Sequence, residues 1–161
     1  MKALVVYDSQ WGNTERIARA TGGALGAEPD VLVLPVGQAT LERLIDSGLD
    51  LLVVGSPTQG FRPTKPVAEI LQRLPEGGLD GVAVAAFDTR FKADEVESRL
   101  TRFVVRRGGY AGPRIAAQLE KAGGTLAAPP EGFFVVDKEG PLREGELGRA
   151  AAWGEGLGRA R

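Results

Sequence analysis

Apolar residues along this chain follow two alternating patterns. Apolar runs at Ala3 to Tyr7 and, with Asp50 near its start, at Leu49 to Gly55 have the composition of strands buried on both faces, and Val31 to Val36 and Val82 to Phe87 read as two further strands. Between them the spacing becomes that of one-sided helices. Ile17, Thr21 and Leu25 share one face of a helix that begins at Asn13 and stops near Gly26, with Glu15, Arg16 and Arg19 elsewhere. Leu41, Leu44 and Ile45 mark a short second helix ended by Gly48. Val67, Ile70, Leu71 and Leu74 mark a third, which Thr64 can cap while Pro66 is tolerated in its first turn.

Past Phe87 the helical pattern is denser. Val96, Leu100, Phe103 and Val104 have helical spacing within the stretch Asp94 to Tyr110, and Ile115, Ala116 and Leu119 have it in a second segment that runs to Gly123-Gly124. Two helices between successive strands exceed what a minimal α/β unit needs, so one of them reads as an insertion or a displaced segment. Phe133 to Val136 is the expected fifth strand, with Thr125 to Ala127 a candidate to join it. The last helix starts near Glu144 and carries Leu147, Ala150, Ala151, Trp153 and Leu157; its glycines predict a frayed end.

Strands alternating with helices predict an α/β protein, one domain over 1–161. The expected architecture is a doubly wound five-stranded parallel sheet, order 2-1-3-4-5, with helices on both faces. Right-handed crossovers then bring the loops after strands one, three and four to the same carboxyl edge, with a ligand crevice between strands one and three. Those loops span 9–14, 56–64 and 87–92.

Composition narrows the chemistry. A net charge of −1 over 161 residues argues against a nucleic-acid partner. The chain has no cysteine and no histidine, which removes disulfides, iron–sulfur clusters, thiol nucleophiles, the commonest general base and the commonest metal ligand. Redox chemistry must therefore ride on a bound cofactor. The N-terminal strand is too short for a signal-peptide apolar region or a membrane span, so the expectation is a cytoplasmic protein with no membrane partner. Ser56 lacks a Gly-x-Ser-x-Gly elbow and a histidine to activate it, which rules out a hydrolase nucleophile.

The first loop has the chemistry of an anion site. A strand feeding a helix directs backbone N–H groups and the positive end of the helix dipole at one spot. Ser9, Asn13 and Thr14 add side-chain donors, and Gly12 allows close backbone approach. No lysine lies between Lys2 and Thr14, so the loop suits a phosphate monoester rather than a nucleoside triphosphate. The plainer alternative is that Ser9 and Thr14 only cap the helix. Trp11, Phe61, Phe87 and Phe91 lie at the same edge, where flat apolar side chains suit a planar ring. Phe87 fits a core position better; Trp11 and Phe91 are the better stacking candidates.

Ser9-Gln10-Trp11-Gly12-Asn13-Thr14 resembles the flavodoxin phosphate loop, Ser/Thr-x-x-Gly-x-Thr, directly after the first strand. Val54-Gly55-Ser56-Pro57-Thr58-Gln59-Gly60 resembles the second flavin loop of that family, and Phe87-Asp88-Thr89-Arg90 occupies the place of the third. The resemblance implies an FMN-binding electron-transfer protein with no catalytic residue or metal of its own, serving redox partner proteins. Ser9, Gln10, Trp11, Gly12, Asn13 and Thr14 would hold the phosphate. Ser56, Pro57, Thr58, Gln59 and Gly60 would flank the isoalloxazine ring on one side, and Phe87, Asp88, Thr89 and Arg90 on the other.

Three departures from the family pattern matter. Trp11 stands where many flavodoxins have a small hydroxyl residue, a feature similar to the flavodoxin-like domains of larger flavoproteins. The third loop has no ring-stacking tyrosine, for which Phe91 is a substitute. The chain is nearly neutral, with Arg62, Lys65, Arg90 and Lys92 near the site. A cation ~6 Å from a reduced, anionic flavin contributes about 3 kcal/mol at an effective dielectric of ~20, which predicts that Arg90 raises the flavin potential. The other arrangements open to Arg90 are solvent exposure or a pair with Asp88 or Asp94. Two further readings of the whole chain stay open: an NAD(P)H-dependent quinone or metal reductase, and an interaction module that binds no flavin.

Overall fold

The valine- and leucine-rich runs form a parallel sheet. The structure, a computed structural model, describes residues 1–91 and 109–160. Strands β1 (Ala3–Tyr7), β2 (Val31–Pro35), β3 (Leu51–Pro57) and β4 (Ala83–Arg90) pair in the order β2-β1-β3-β4. The fifth position is shared. Next to β4, the two-residue β5 (Thr125–Leu126) pairs with Ala83 and Val84, and β6 (Glu131–Phe134) pairs with Phe87 to Arg90. The order 2-1-3-4-5 therefore stands, but its last strand is split and begins earlier than expected. Pro129 and Pro130 lie between the halves, and two residues without an N–H cannot continue a ladder.

Side-chain alternation along the strands divides the core between the two faces. Leu4, Val6, Leu52, Val54, Val84 and Ala86 face one layer, made by α2 (Leu41–Leu44), α3 (Lys65–Gln72) and α4 (Ala111–Lys121) through Leu44, Val67, Leu71, Ile115 and Leu119. Val5, Tyr7, Leu51, Val53, Ala85 and Phe87 face the other, made by α1 (Asn13–Leu25) and α5 (Glu146–Arg159) through Ile17, Ala150 and Leu157. The sheet is covered on both faces, as the unbroken apolar runs require.

Two local expectations change. Strand pairing continues through Pro57 against Thr89, and β6 pairs as far as Arg90, so Ser56, Pro57, Asp88, Thr89 and Arg90 are strand ends rather than loop residues. The end of α5 does not fray: Leu157 is fully buried, and at Gly154 the helix lies so close to α1 that a Cβ would sit 2.5 Å from the Thr21 carbonyl oxygen. Glycine there serves close packing. The helical spacing of Val96, Leu100, Phe103 and Val104, and the positions of Lys92 and Asp94, lie outside the described residues.

Candidate functional site: a cleft at the carboxyl edge of the sheet

Where β1 ends, the Asp8 N–H donates to the Gly55 carbonyl across to β3 (3.1 Å) and the chain turns. Ser9 Oγ accepts the Gly12 N–H (3.1 Å), and Gly12 adopts the left-handed conformation (φ 89°) that starts α1. The first helical bond back to this turn is from Arg16 N–H to the Gly12 carbonyl (3.1 Å). The N–H groups of Asn13, Thr14 and Glu15 find no acceptor among the described residues. Ser9 thus serves the turn, not the first turn of the helix. Thr14 does not cap either: its buried hydroxyl lies 2.9 Å from that of Thr89, tying α1 to the end of β4. Asn13 Nδ2 donates to the Glu139 carbonyl (3.1 Å).

The segment after β3 is stapled at both ends. Ser56 is fully buried; its hydroxyl accepts the Thr64 N–H (2.9 Å) and donates to the Pro57 carbonyl (2.9 Å). Between those ends, Gln59 and Arg62 exchange backbone hydrogen bonds (2.8 and 3.0 Å) around a two-residue turn. Both central residues have positive φ, Gly60 at 54° and Phe61 at 66°, the type I′ arrangement. A phenylalanine in the left-handed region is strained, and here the turn presents its ring to the cleft. Thr58 Oγ1 accepts the Ala111 N–H (3.1 Å), which seats the start of α4 beside this segment.

Asp88 anchors the third segment from within. Its carboxylate is without exposure and accepts both Arg90 Nε and Nη2 (2.6 Å each) and the Gly112 N–H (2.7 Å). Burial pushes the Asp88 carboxyl above its ordinary range, opposed by Arg90 and the Gly112 N–H. The guanidinium lies 3.6 Å from the centre of the Tyr110 ring and covers Gly132, where any Cβ would strike it. Of the arrangements open to Arg90, the pair with Asp88 is the one that forms. The expectation that Arg90 raises a flavin potential loses its basis, because a bidentate pair presents a dipole rather than a unit charge.

These segments enclose a cleft of about 570 Å³. It is lined by Ser9, Gln10, Trp11, Asn13 and Thr14, by Pro57 to Phe61, and by Thr89, Arg90 and Phe91. Gly109, Tyr110, Val135 and Lys138 complete it. Trp11 and Phe91 are 50% and 42% exposed at its rim. No aspartate or glutamate lines it among the described residues.

Four residues expected at the site do not line the cleft: Gly12, Ser56, Phe87 and Asp88. Gly12 shapes the turn, while Ser56 and Asp88 act from behind the wall. Phe87 lies in the core, edge-on to Phe133 and Trp153 with centroids 6.0 Å apart. Tyr110 and Lys138 went unseen in the sequence because neither stands in a motif. The Asp88–Gly112 hydrogen bond brings Tyr110 to the wall, and the Asn13–Glu139 hydrogen bond brings Lys138. Among the described residues, no group of carboxylates is arranged to hold a metal ion, and no helix is long and apolar enough to cross a membrane.

No family model matches the chain, and no curated protein matches it in sequence. Solved structures do match. Oxidised flavodoxin 1 from Bacillus cereus matches with a TM-score of 0.73 at 14% identity, over 98% of this chain and 97% of that one. This chain has a flavodoxin-like fold. A flavodoxin from the domain Archaea matches the flavodoxin-like chain with a TM-score of 0.67 at 23% identity, over 98% of this chain and 96% of that one. The rubredoxin oxygen:oxidoreductase of Desulfovibrio gigas matches with a TM-score of 0.72 at 20% identity, over 99% of this chain and 35% of that one. The cleft of this flavodoxin-like chain lies at the switch between β1 and β3, where open parallel sheets bind ligands.

Proposed function

We propose that this flavodoxin-like chain binds FMN in the cleft and acts as a cytoplasmic electron carrier between redox partner proteins. The carrying observation is that one continuous cleft joins the open first-turn amides of α1 to an aromatic-sided slot. The residues present fit the cofactor. A volume of about 570 Å³ is within the range of small-molecule sites, roughly 300–1,000 Å³. The amides of Asn13, Thr14 and Glu15 need acceptors, and a phosphate supplies them. No described carboxylate lines the cleft to repel it.

The bound flavin would supply the one- and two-electron chemistry. The protein binds and orients. Ser9 and Gly12 shape the phosphate turn, and the Thr14–Thr89 hydrogen bond holds that turn against the end of β4. Trp11, Phe61, Phe91 and Tyr110 provide apolar walls for a ring, while the backbone of Gly60, at the tip of the turn that Gln59 and Arg62 close, offers polar groups beside it. Rim exposure of Trp11 and Phe91 leaves an edge for a transient partner to meet.

The test is spectroscopic. Adding FMN to the purified protein should quench flavin fluorescence to a one-to-one end point and perturb the visible bands. An unchanged spectrum and fluorescence would leave the fold without this function. Rapid NADPH oxidation by the flavin-loaded protein with a quinone would favour the reductase reading over the carrier.

A further inference from the structure

Resting on the reading that the cleft takes FMN, we propose that Lys138 is its phosphate-selecting residue, held at the phosphate end by a hairpin tethered to Asn13. The hairpin follows β6. Val135 and Leu142 pair antiparallel, Val136 N–H donates to the Pro141 carbonyl (2.9 Å), and Gly140 N–H donates to the Asp137 carbonyl (2.9 Å). Its tip reaches the phosphate turn, where Asn13 Nδ2 donates to the Glu139 carbonyl (3.1 Å). Contact is close at Gly140: a Cβ there would stand 2.7 Å from the Asn13 amide. Of the three charged residues at the tip, Lys138 alone lines the cleft, together with Ser9, Gln10, Trp11, Asn13 and Thr14.

Charge accounting singles out this lysine. Two charged side chains among the described residues line the cleft, Arg90 and Lys138. Arg90 is neutralised by Asp88 at 2.6 Å. The Lys138 ammonium makes no ion pair with a described residue, and Asp137 uses its carboxylate on the Lys138 backbone N–H (2.7 Å). Every donor in the phosphate turn is neutral, whereas a phosphate monoester carries about −1.5 to −2 near neutral pH. A flexible ammonium with three donors satisfies that charge without requiring a fixed fork geometry. Riboflavin has the same ring and no phosphate, so Lys138 should discriminate between the two flavins.

The experiment titrates the wild-type protein, Lys138→Met and Lys138→Arg with FMN and with riboflavin, at low and high salt, with a thermal melt of each unliganded protein. Lys138→Met should weaken FMN roughly five- to tenfold, leave riboflavin binding and the melt unchanged, and shrink the salt dependence for FMN. Lys138→Arg should keep most of the FMN affinity. Equal weakening of both flavins, or none, with wild type still binding FMN, overturns the role of Lys138 and leaves the FMN reading standing. Wild type binding neither flavin removes both.

Discussion

Asp88 and Arg90 stand two apart on a strand, so their side chains leave the same face and meet. Asp88 has no exposure and Arg90 is its cation, so Arg90→Ala should cost about 3–5 kcal/mol at neutral pH, read by urea unfolding. The pH dependence has a definite sign. A carboxyl whose folded-state pKa is raised favours folding below its unfolded value, and loses that contribution as pH rises through the raised value. Removing Arg90 widens the window upward, so the deficit of Arg90→Ala should be smaller at about pH 4 than at about pH 8. A deficit equal at both would contradict a buried, unpaired carboxylate. Trp11 is a different kind of residue, half exposed at the rim. Trp11→Ala should weaken FMN binding by roughly three- to tenfold in a fluorescence titration and leave the melting point of the unliganded protein unmoved.

Among the elements, α5 shows that a glycine-rich helix can be well packed. Replacing a helical glycine by alanine gains about 1 kcal/mol in propensity. At Gly154 the new Cβ meets backbone, the Thr21 carbonyl oxygen at 2.5 Å, and overpacking of that kind costs about 1–3 kcal/mol. Gly154→Ala should therefore lower the melting temperature, whereas Gly156→Ala, whose Cβ meets nothing within 4 Å, should raise it. The start of the same helix is held by charge. Glu146 accepts the Phe134 N–H (2.7 Å) and Arg149 Nη2 (2.6 Å), and Arg149 reaches on to Glu131 (2.7 Å). Burial raises the Glu146 carboxyl, but the Arg149 and Phe134 donors outweigh it and hold it below its ordinary range. An acid lowered in the folded state stabilises above its unfolded pKa and stops doing so as pH falls through the lowered value. Glu146→Gln should lose about 1 kcal/mol at neutral pH, discounted for the solvent reaching Arg149, and that gap should narrow as pH falls below the ordinary glutamate range.

For the whole molecule, binding and stability are linked. FMN at about 100 times its Kd should add about 2.7 kcal/mol and raise the melting temperature by roughly 5–10 °C in a chain of this size. Riboflavin at the same concentration should do less, because the amides of Asn13, Thr14 and Glu15 keep no acceptor. Much of the architecture behind that cleft is readable in sequence. The runs at Ala3, Leu49 and Val82 read as strands from their length and valine content, and the switch between β1 and β3 follows from strand order. The turn between β1 and α1 is readable too, since Ser9, Gly12 and Thr14 lie within six residues of one another. The fifth sheet position was less so, because Thr125–Leu126 and Glu131–Phe134 are too short to show a period on either side of two prolines.

What the sequence determined by itself was local: periodic apolar faces, the neutral turn at 9–14, and the lack of histidine and cysteine, so that any redox chemistry would need a borrowed group. Tertiary structure decided whatever depends on partners distant in the chain. It paired Arg90 with Asp88 by making 88–90 strand instead of loop, and sent Phe87 into the core beside Phe133 and Trp153. It also brought Tyr110 and Lys138 to the wall, through hydrogen bonds spanning 24 residues from Asp88 and 126 from Asn13. No short-range pattern carries such contacts, because their residues share a surface only after the sheet has set which ends meet.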